Sequence, residues 1–199
     1  MFYETRERNH GLAFDPFKAI VAPRPIGWIS SIDTEGRVNL APYSFFNAVC
    51  SRPDIVMFSS AGRKDSVSNL EATSEFVCNL TTWDLREAVN LSSATLPHGE
   101  SEFEATGLKT APSRLVKPPR VAAAPAALEC KVLSTQELIG LDGRPTNNWV
   151  TFGEVVGVHI DDACIRDGRF DMTKARSIAR CGYHDYAVVE SLFEMKRPA

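Results

Sequence analysis

The sequence predicts a mainly β protein, an antiparallel barrel with a few peripheral helices. Three observations carry that expectation. Five runs rich in β-branched and aromatic residues are each bounded by turn formers. The longest, residues 148–160 (NWVTFGEVVGVHI), alternates with a period of two, and Gly153 and Gly157 permit the bends and bulges of a coiled barrel strand. Helical signals are fewer, short and announced by caps.

Taken in order, the first strand is expected at residues 27–32 (GWISSI), and Asp33-Thr34-Glu35-Gly36 turns it back into Arg37-Val38-Asn39-Leu40. Residues 55–59 (IVMFS), 76–80 (FVCNL) and 128–135 (LECKVLST) supply the next strands, and Leu141-Asp142-Gly143-Arg144 leads into the long one. There His159 faces the side opposite Val158 and Ile160, which makes it an exterior or subunit-contact residue rather than a ligand. Asp65 is expected to cap a helix over residues 66–73, Asp84 with Glu87 one over 85–91, and Ser101 with Glu104 a short helix ended by Gly107. Residues 111–125 hold Pro112, Pro118, Pro119 and Pro125, so regular structure is excluded there. That stretch is too short and apolar for a linker and is expected to pack along the barrel. With no internal repeat and no shift in composition, residues 1–199 are expected to form one domain.

Composition narrows the function. A chain of 199 residues, 44% hydrophobic and 24% charged, has enough apolar material for a sizeable core, which excludes disordered and fibrous classes. Its 22 Lys and Arg against 25 Asp and Glu leave a net charge of -3 with no long run of one sign. A nucleic-acid binder concentrates Lys and Arg on one face, and an oligonucleotide-binding barrel adds stacking aromatics in a basic groove, so nucleic acid is not the expected partner. The longest apolar stretch, residues 121–128, falls far short of the roughly 20 residues of a membrane span. Residues 1–10 carry four charged side chains and no apolar segment, unlike a secretory signal, so the cytoplasm is the expected compartment. Cys50, Cys78, Cys130, Cys164 and Cys181 are odd in number, widely spaced and without a CxxC pair. They are expected to be reduced, mostly buried thiols, with neither a disulfide framework nor a metal site.

No GxSxG, Walker loop, HExxH or GxGxxG occurs, so any catalysis borrows its chemistry. Informative residues concentrate in three pieces between Ala22 and Ser66: APRPIGWISS, NLAPYSFFN and SSAGRKDS. Each mixes small hydroxyl or amide side chains with Gly or Pro, which suits a flat heteroaromatic ligand with a polyol chain. In the third, Arg63 and Lys64 precede a helix start, where unpaired N–H groups and the helix dipole favour a phosphate. The structural alternatives are a solvated basic loop at Arg63 and Lys64, edge-strand hydration at Ser30 and Ser31, turn-forming roles for Asn39, Ser44 and Asn47, and filling of core or interface volume by Trp28 and Trp149.

RPIGWISSID, NLAPYSFFN, the FSS and RKDS elements, FVCNL, FGEVVGVHI and the C-terminal CGYHDYA together resemble the flavin reductase family with the FMN-binding split-barrel fold, in the branch that includes flavoredoxin-like proteins. The match in order and spacing covers nearly the whole chain. The resemblance implies an antiparallel Greek-key split β-barrel and a homodimer with FMN, or the larger FAD, near the subunit interface. Hydride would pass from NADH or NADPH to flavin, and reduced flavin would go on to a partner monooxygenase or another acceptor. The cofactors carry such chemistry, so no acid or base residue is required. By position, Trp28, Ser30 and Ser31 would line the ribityl and ring edge. Ala41, Pro42, Tyr43 and Ser44 would run beside the ring, Asn47 would bond its polar edge, and Ser59, Arg63, Lys64 and Ser66 would hold the phosphate. His184 would border the ring or receive nicotinamide, or else be a surface or interface residue. The resemblance also admits an FMN-binding electron carrier without efficient nicotinamide turnover.

Overall fold

Alternating side chains produce seven main strands: β1 (Gly27–Ile32), β2 (Val38–Tyr43), β3 (Phe46–Ser51), β4 (Asp54–Ala61), β5 (Glu75–Leu80), β6 (Ala126–Ile139) and β7 (Pro145–Ile160). The structure, a computed structural model, describes residues 1–96 and 100–198. The strands form one sheet in the order β2-β1-β5-β6-β7-β4-β3, and every neighbouring pair is antiparallel. Its edge strands, β2 and β3, are consecutive in the chain, so the sheet curls until they approach. Tyr43 on β2 packs against Phe58 on β4 with ring centroids 4.7 Å apart. Ile29, Val56, Phe58, Phe76, Cys78 and Cys130 fill the enclosed core, giving the antiparallel split barrel that the strand pattern and the resemblance implied.

The bend expected in β7 is present. Its pairing with β6 shifts register between Phe152 and Gly153 and again between Val155 and Gly157. At Gly153 a β-carbon would stand 2.4 Å from the Phe76 ring, so glycine lets β7 close over that ring.

Of the helices among the described residues, three bear on the expectations from sequence: α1 (Asp65–Thr73), α2 (Arg86–Leu91) and α3 (Glu102–Thr106). Their caps differ from expectation. Lys64 occupies the N-cap of α1 and Asp65 its first turn. Leu85 precedes α2 without a side-chain cap bond, while the Asp84 carboxylate lies 3.7 Å from the Arg176 guanidinium. Ser101 does occupy the N-cap of α3 but makes no side-chain cap bond, and Gly107 ends the helix in the left-handed region at φ 68°. Packing rather than capping holds the two short helices: Val89 and Phe103 join Trp28, Leu40, Val121 and Ala124 in a second core between β1, β2 and the proline-rich segment.

Residues 111–125 pack along the barrel as expected, but regular structure is not wholly excluded: Thr110–Ala111 and Arg120–Val121 pair as a two-residue antiparallel ladder that brackets Pro112, Pro118 and Pro119. Glu129 on β6, wholly buried, accepts the backbone N–H groups of Arg114 at 2.7 Å, Leu115 at 2.6 Å and Val116 at 3.1 Å, and also bonds His159. His159 is therefore part of an inward polar anchor, with 18% of its side chain exposed, rather than an exterior residue. Burial alone would push the Glu129 carboxyl up, but the His159 ring and the N–H groups of Arg114 and Leu115 outweigh it and hold it below its ordinary range. All five cysteines are free, and burial pushes the Cys78 thiol up to about 12. No helix among the described residues is long and apolar enough to cross a membrane.

Candidate functional site

β2 ends in the sequence Asn39-Leu40-Ala41-Pro42-Tyr43, followed by Ser44. As an edge strand it tolerates Pro42, whose missing N–H costs no ladder bond on its free side. Beside it lie two cavities that share Pro42 and Ser93. The first, about 330 Å³, is bordered by Asn39, Ala41, Tyr43, Lys64, Ser66 and Glu102. The second, about 410 Å³, is bordered by Ser44, Lys18, Arg24, Arg180, Tyr183 and His184. Together they make a groove that collects Ala41, Pro42, Tyr43, Ser44, Lys64, Ser66 and His184 from the residues singled out in the sequence.

A hydrogen bond shapes the first cavity. Asn39 Nδ2 donates to Ser66 Oγ at 2.9 Å, and burial of the Tyr43 hydroxyl pushes the phenol up, against the influence of the Ser66 and Ser60 hydroxyls. Lys64, exposed and extended at the start of α1, brings a full positive charge beside that helix end. Opposite it, Glu102 accepts the Leu40 backbone N–H at 2.8 Å. Burial pushes the Glu102 carboxyl up, against that bond.

Other singled-out residues lie elsewhere. Trp28 is fully buried in the second core, and its Nε1 donates to Ser92 Oγ at 2.9 Å. Ser30 and Ser31 are also fully buried and, as neighbours on β1, face opposite sides. Ser30 Oγ donates to the Pro119 carbonyl at 2.6 Å, and Ser31 Oγ accepts from Asn69 Nδ2 at 3.1 Å. Their hydroxyls thus serve the fold instead of facing the groove. Asn47 is exposed on β3, where its Oδ1 accepts the Ala48 N–H at 2.9 Å. Ser59 Oγ is buried without a partner on β4. Arg63 pairs with Glu71 (Nε to Oε2, 2.8 Å), and its guanidinium lies 6.0 Å from the Trp149 ring centroid. Gly62, left-handed at φ 89°, turns the chain just before Arg63, and of the Arg63-Lys64 pair only Lys64 lines the groove.

Sequence reasoning missed Lys18, Arg24, Ser93, Glu102 and Arg180. Arg24 stood inside the RPIGW motif, yet its significance comes from a ladder that pairs it with Arg180. Its guanidinium donates to the carbonyls of Lys18, Val21 and, at 2.7 Å, Cys181. Nothing local in the sequence announces that three-way junction.

Comparison with known proteins follows the same lines. Residues 21–172 match the model of the flavin reductase like domain. An uncharacterized protein of Halalkalibacterium halodurans is 34% identical over 200 residues, covering 98% of this chain and 93% of the relative. The crystal structure of nitrilotriacetate monooxygenase component B from Bacillus cereus superposes with a TM-score of 0.89 at 29% identity, over 98% of each chain. Flavoredoxin of Desulfovibrio vulgaris (Miyazaki F) shares the fold, with a TM-score of 0.78 at 19% identity over 98% of this chain and 97% of its own.

Proposed function

The chain belongs to the family of the flavin reductase like domain, and from that premise we propose that it is an FMN-dependent NAD(P)H:flavin oxidoreductase. In this reading it is one domain throughout and a cytoplasmic homodimer, its free cysteines suiting a reducing compartment. The groove along Ala41 to Ser44 carries the proposal. Its two cavities, about 330 and 410 Å³, have the size of small-ligand sites and combine hydroxyls, bent main chain and a cation at each end.

The residues present fit the flavin. Lys64, Ser66 and the N–H groups opening α1 would hold the phosphate. Ala41, Pro42, Tyr43 and Ser44 would form the wall beside the ring, and His184 would border its far edge. Trp28 supports this wall from within by fixing Ser92, which also lines the first cavity. Bound flavin would supply the redox chemistry, as acceptor of a hydride equivalent from the nicotinamide. The chain's task is to hold two rings face to face and keep water from between them. Beyond Asn39 and Asp65 the groove opens into a third cavity of about 790 Å³, where Asp33, Asp65, Glu100 and Glu104 face Arg37 and Lys109. That excess of carboxylates opposes a second phosphate and favours FMN over FAD.

The Bacillus cereus relative is named as a monooxygenase component. By extension, reduced flavin would pass from this chain to a partner monooxygenase. The test is the visible spectrum of the purified protein with and without FMN, followed by steady-state NADH and NADPH oxidation. Flavin bands that shift on binding, with nicotinamide consumed in proportion to added FMN, are expected. A protein that stays colourless after incubation with FMN refutes the reading.

A further inference from the structure

A cavity of about 500 Å³ lies where the ends of β5, β6 and β7 meet, and the flavin groove leaves it empty of purpose. Ile26, Phe46, Leu128 and Ile178 wall it, and its lining contains no charged side chain. At its mouth Val158, Ile160 and Met172 are 56%, 45% and 40% exposed, so the apolar surface runs on into solvent instead of closing over. Ser177 belongs to the same lining, and its Oγ is buried without a hydrogen-bond partner. A buried hydroxyl in that condition is costly and calls for a polar group from outside.

The chain carries a segment of matching chemistry. Tyr186–Val188 pairs with Ile178–Arg180, and the Val189 N–H then donates to the Ser177 carbonyl at 2.9 Å. Val189 also lines the cavity, so the arm that follows, residues 190–198, starts at its edge. That arm forms no helix, strand or turn and leaves Leu192, Phe193 and Met195 64%, 86% and 82% exposed. Three large apolar side chains within four positions are an unpartnered surface, unlike single exposed residues scattered over a protein. An extended arm sets Phe193 about 13 Å from Val189, away from the cavity beside which it begins.

Resting on the homodimer reading above, we infer that this arm crosses to a second copy of the chain and fills that copy's apolar cavity. The root of the arm and the mouth of the cavity adjoin, so a two-fold axis beside them brings each root to the other mouth, and a few residues cover the distance. Phe193 and Met195, two positions apart and so on one face of an extended segment, enter the cavity. The main chain of the arm passes Ser177 and satisfies its hydroxyl. Exchange in both directions buries two sets of arm and mouth side chains, surface that each protomer alone leaves in water. Ile26 lines both this cavity and the second cavity of the groove, so the exchanged arm also backs a wall of the flavin site.

The experiment compares wild-type protein with a Leu192→Ser, Phe193→Ser, Met195→Ser variant by sedimentation equilibrium, with circular dichroism as the check on folding. The dimer dissociation constant is expected to rise at least about a hundredfold with the fold unchanged. In a Cys50→Ser background, which removes the exposed native thiol, Val158→Cys and Phe193→Cys are then combined in one chain and oxidised. Disulfide-linked pairs of chains are expected, with neither single variant forming them. A folded triple variant as dimeric as wild type overturns the inference, and so does a disulfide confined within one chain, which would place the arm on its own cavity. Wild-type protein that binds FMN as a monomer overturns it together with the homodimer and spares the flavin reading. An exchanged arm on a protein that does not bind FMN supports the inference and defeats the flavin reading instead. Should the triple variant not fold, the cross-link, made in a chain that keeps Leu192 and Met195, decides.

Discussion

Lys64 and Arg63 are neighbours in sequence with different surroundings, and that difference is testable. Lys64 lines the groove, while Arg63 is engaged with Glu71. Lys64→Ala is therefore expected to weaken FMN binding by about 1.5–3 kcal/mol, the worth of a charge-assisted bond to phosphate. Arg63→Ala should change it far less. Fluorescence titration of both variants decides, and an unchanged constant for Lys64→Ala removes that residue from the site. Glu129 makes a second prediction, on stability. Its folded-state carboxyl is held below the 4.5 expected of an unfolded chain, so the stability it confers is complete above about pH 4.5 and is lost as pH falls through the depressed value. Glu129→Gln puts an amide N–H₂ where donors converge. It should lower stability at pH 7 by about 1–3 kcal/mol and flatten the decline on acidification, as read from denaturant midpoints. Equal slopes for the two proteins would show that Glu129 does not govern that decline.

At the level of elements, the strands were legible because alternation is a local signal: β1 begins and ends at the expected residues, and the bend in β7 follows its glycines. Helix starts were less legible. Asp84 and Ser101 sit in cap-like patterns, yet the short helices they introduce are fixed by buried Val89 and Phe103, a tertiary effect that no capping motif encodes. The site divides the same way. Ala41 to Ser44 and Lys64 follow from local chain chemistry, whereas the inward roles of Ser30 and Ser31 depend on what covers each face of β1. Arg24 depends on a contact with Cys181 across 157 positions. Gly153 offers a test at this scale. Gly153→Ala places a methyl 2.4 Å from the Phe76 ring, so β7 must lift or the ring must shift. A loss of about 1–3 kcal/mol is expected from thermal or denaturant unfolding. An unaltered midpoint would mean that the bulge absorbs the methyl and that glycine is not needed for closure.

For the whole molecule, the open choice is between a reductase and a one-flavin electron carrier, since the split barrel is shared with a flavoredoxin and fold does not decide function. The two differ in what the groove must admit. A carrier needs only a flavin edge near the surface. A reductase also needs space for nicotinamide to enter, lie against the flavin ring and leave. The homodimer that the family resemblance implies is tested by sedimentation equilibrium, with a mass of twice the 21.9 kDa chain expected. Turnover separates the two functions: with NADH in excess, the protein is expected to reduce many equivalents of added free FMN, at a rate that saturates with flavin concentration. A single bound flavin reduced once, with added FMN left oxidised, would identify a carrier.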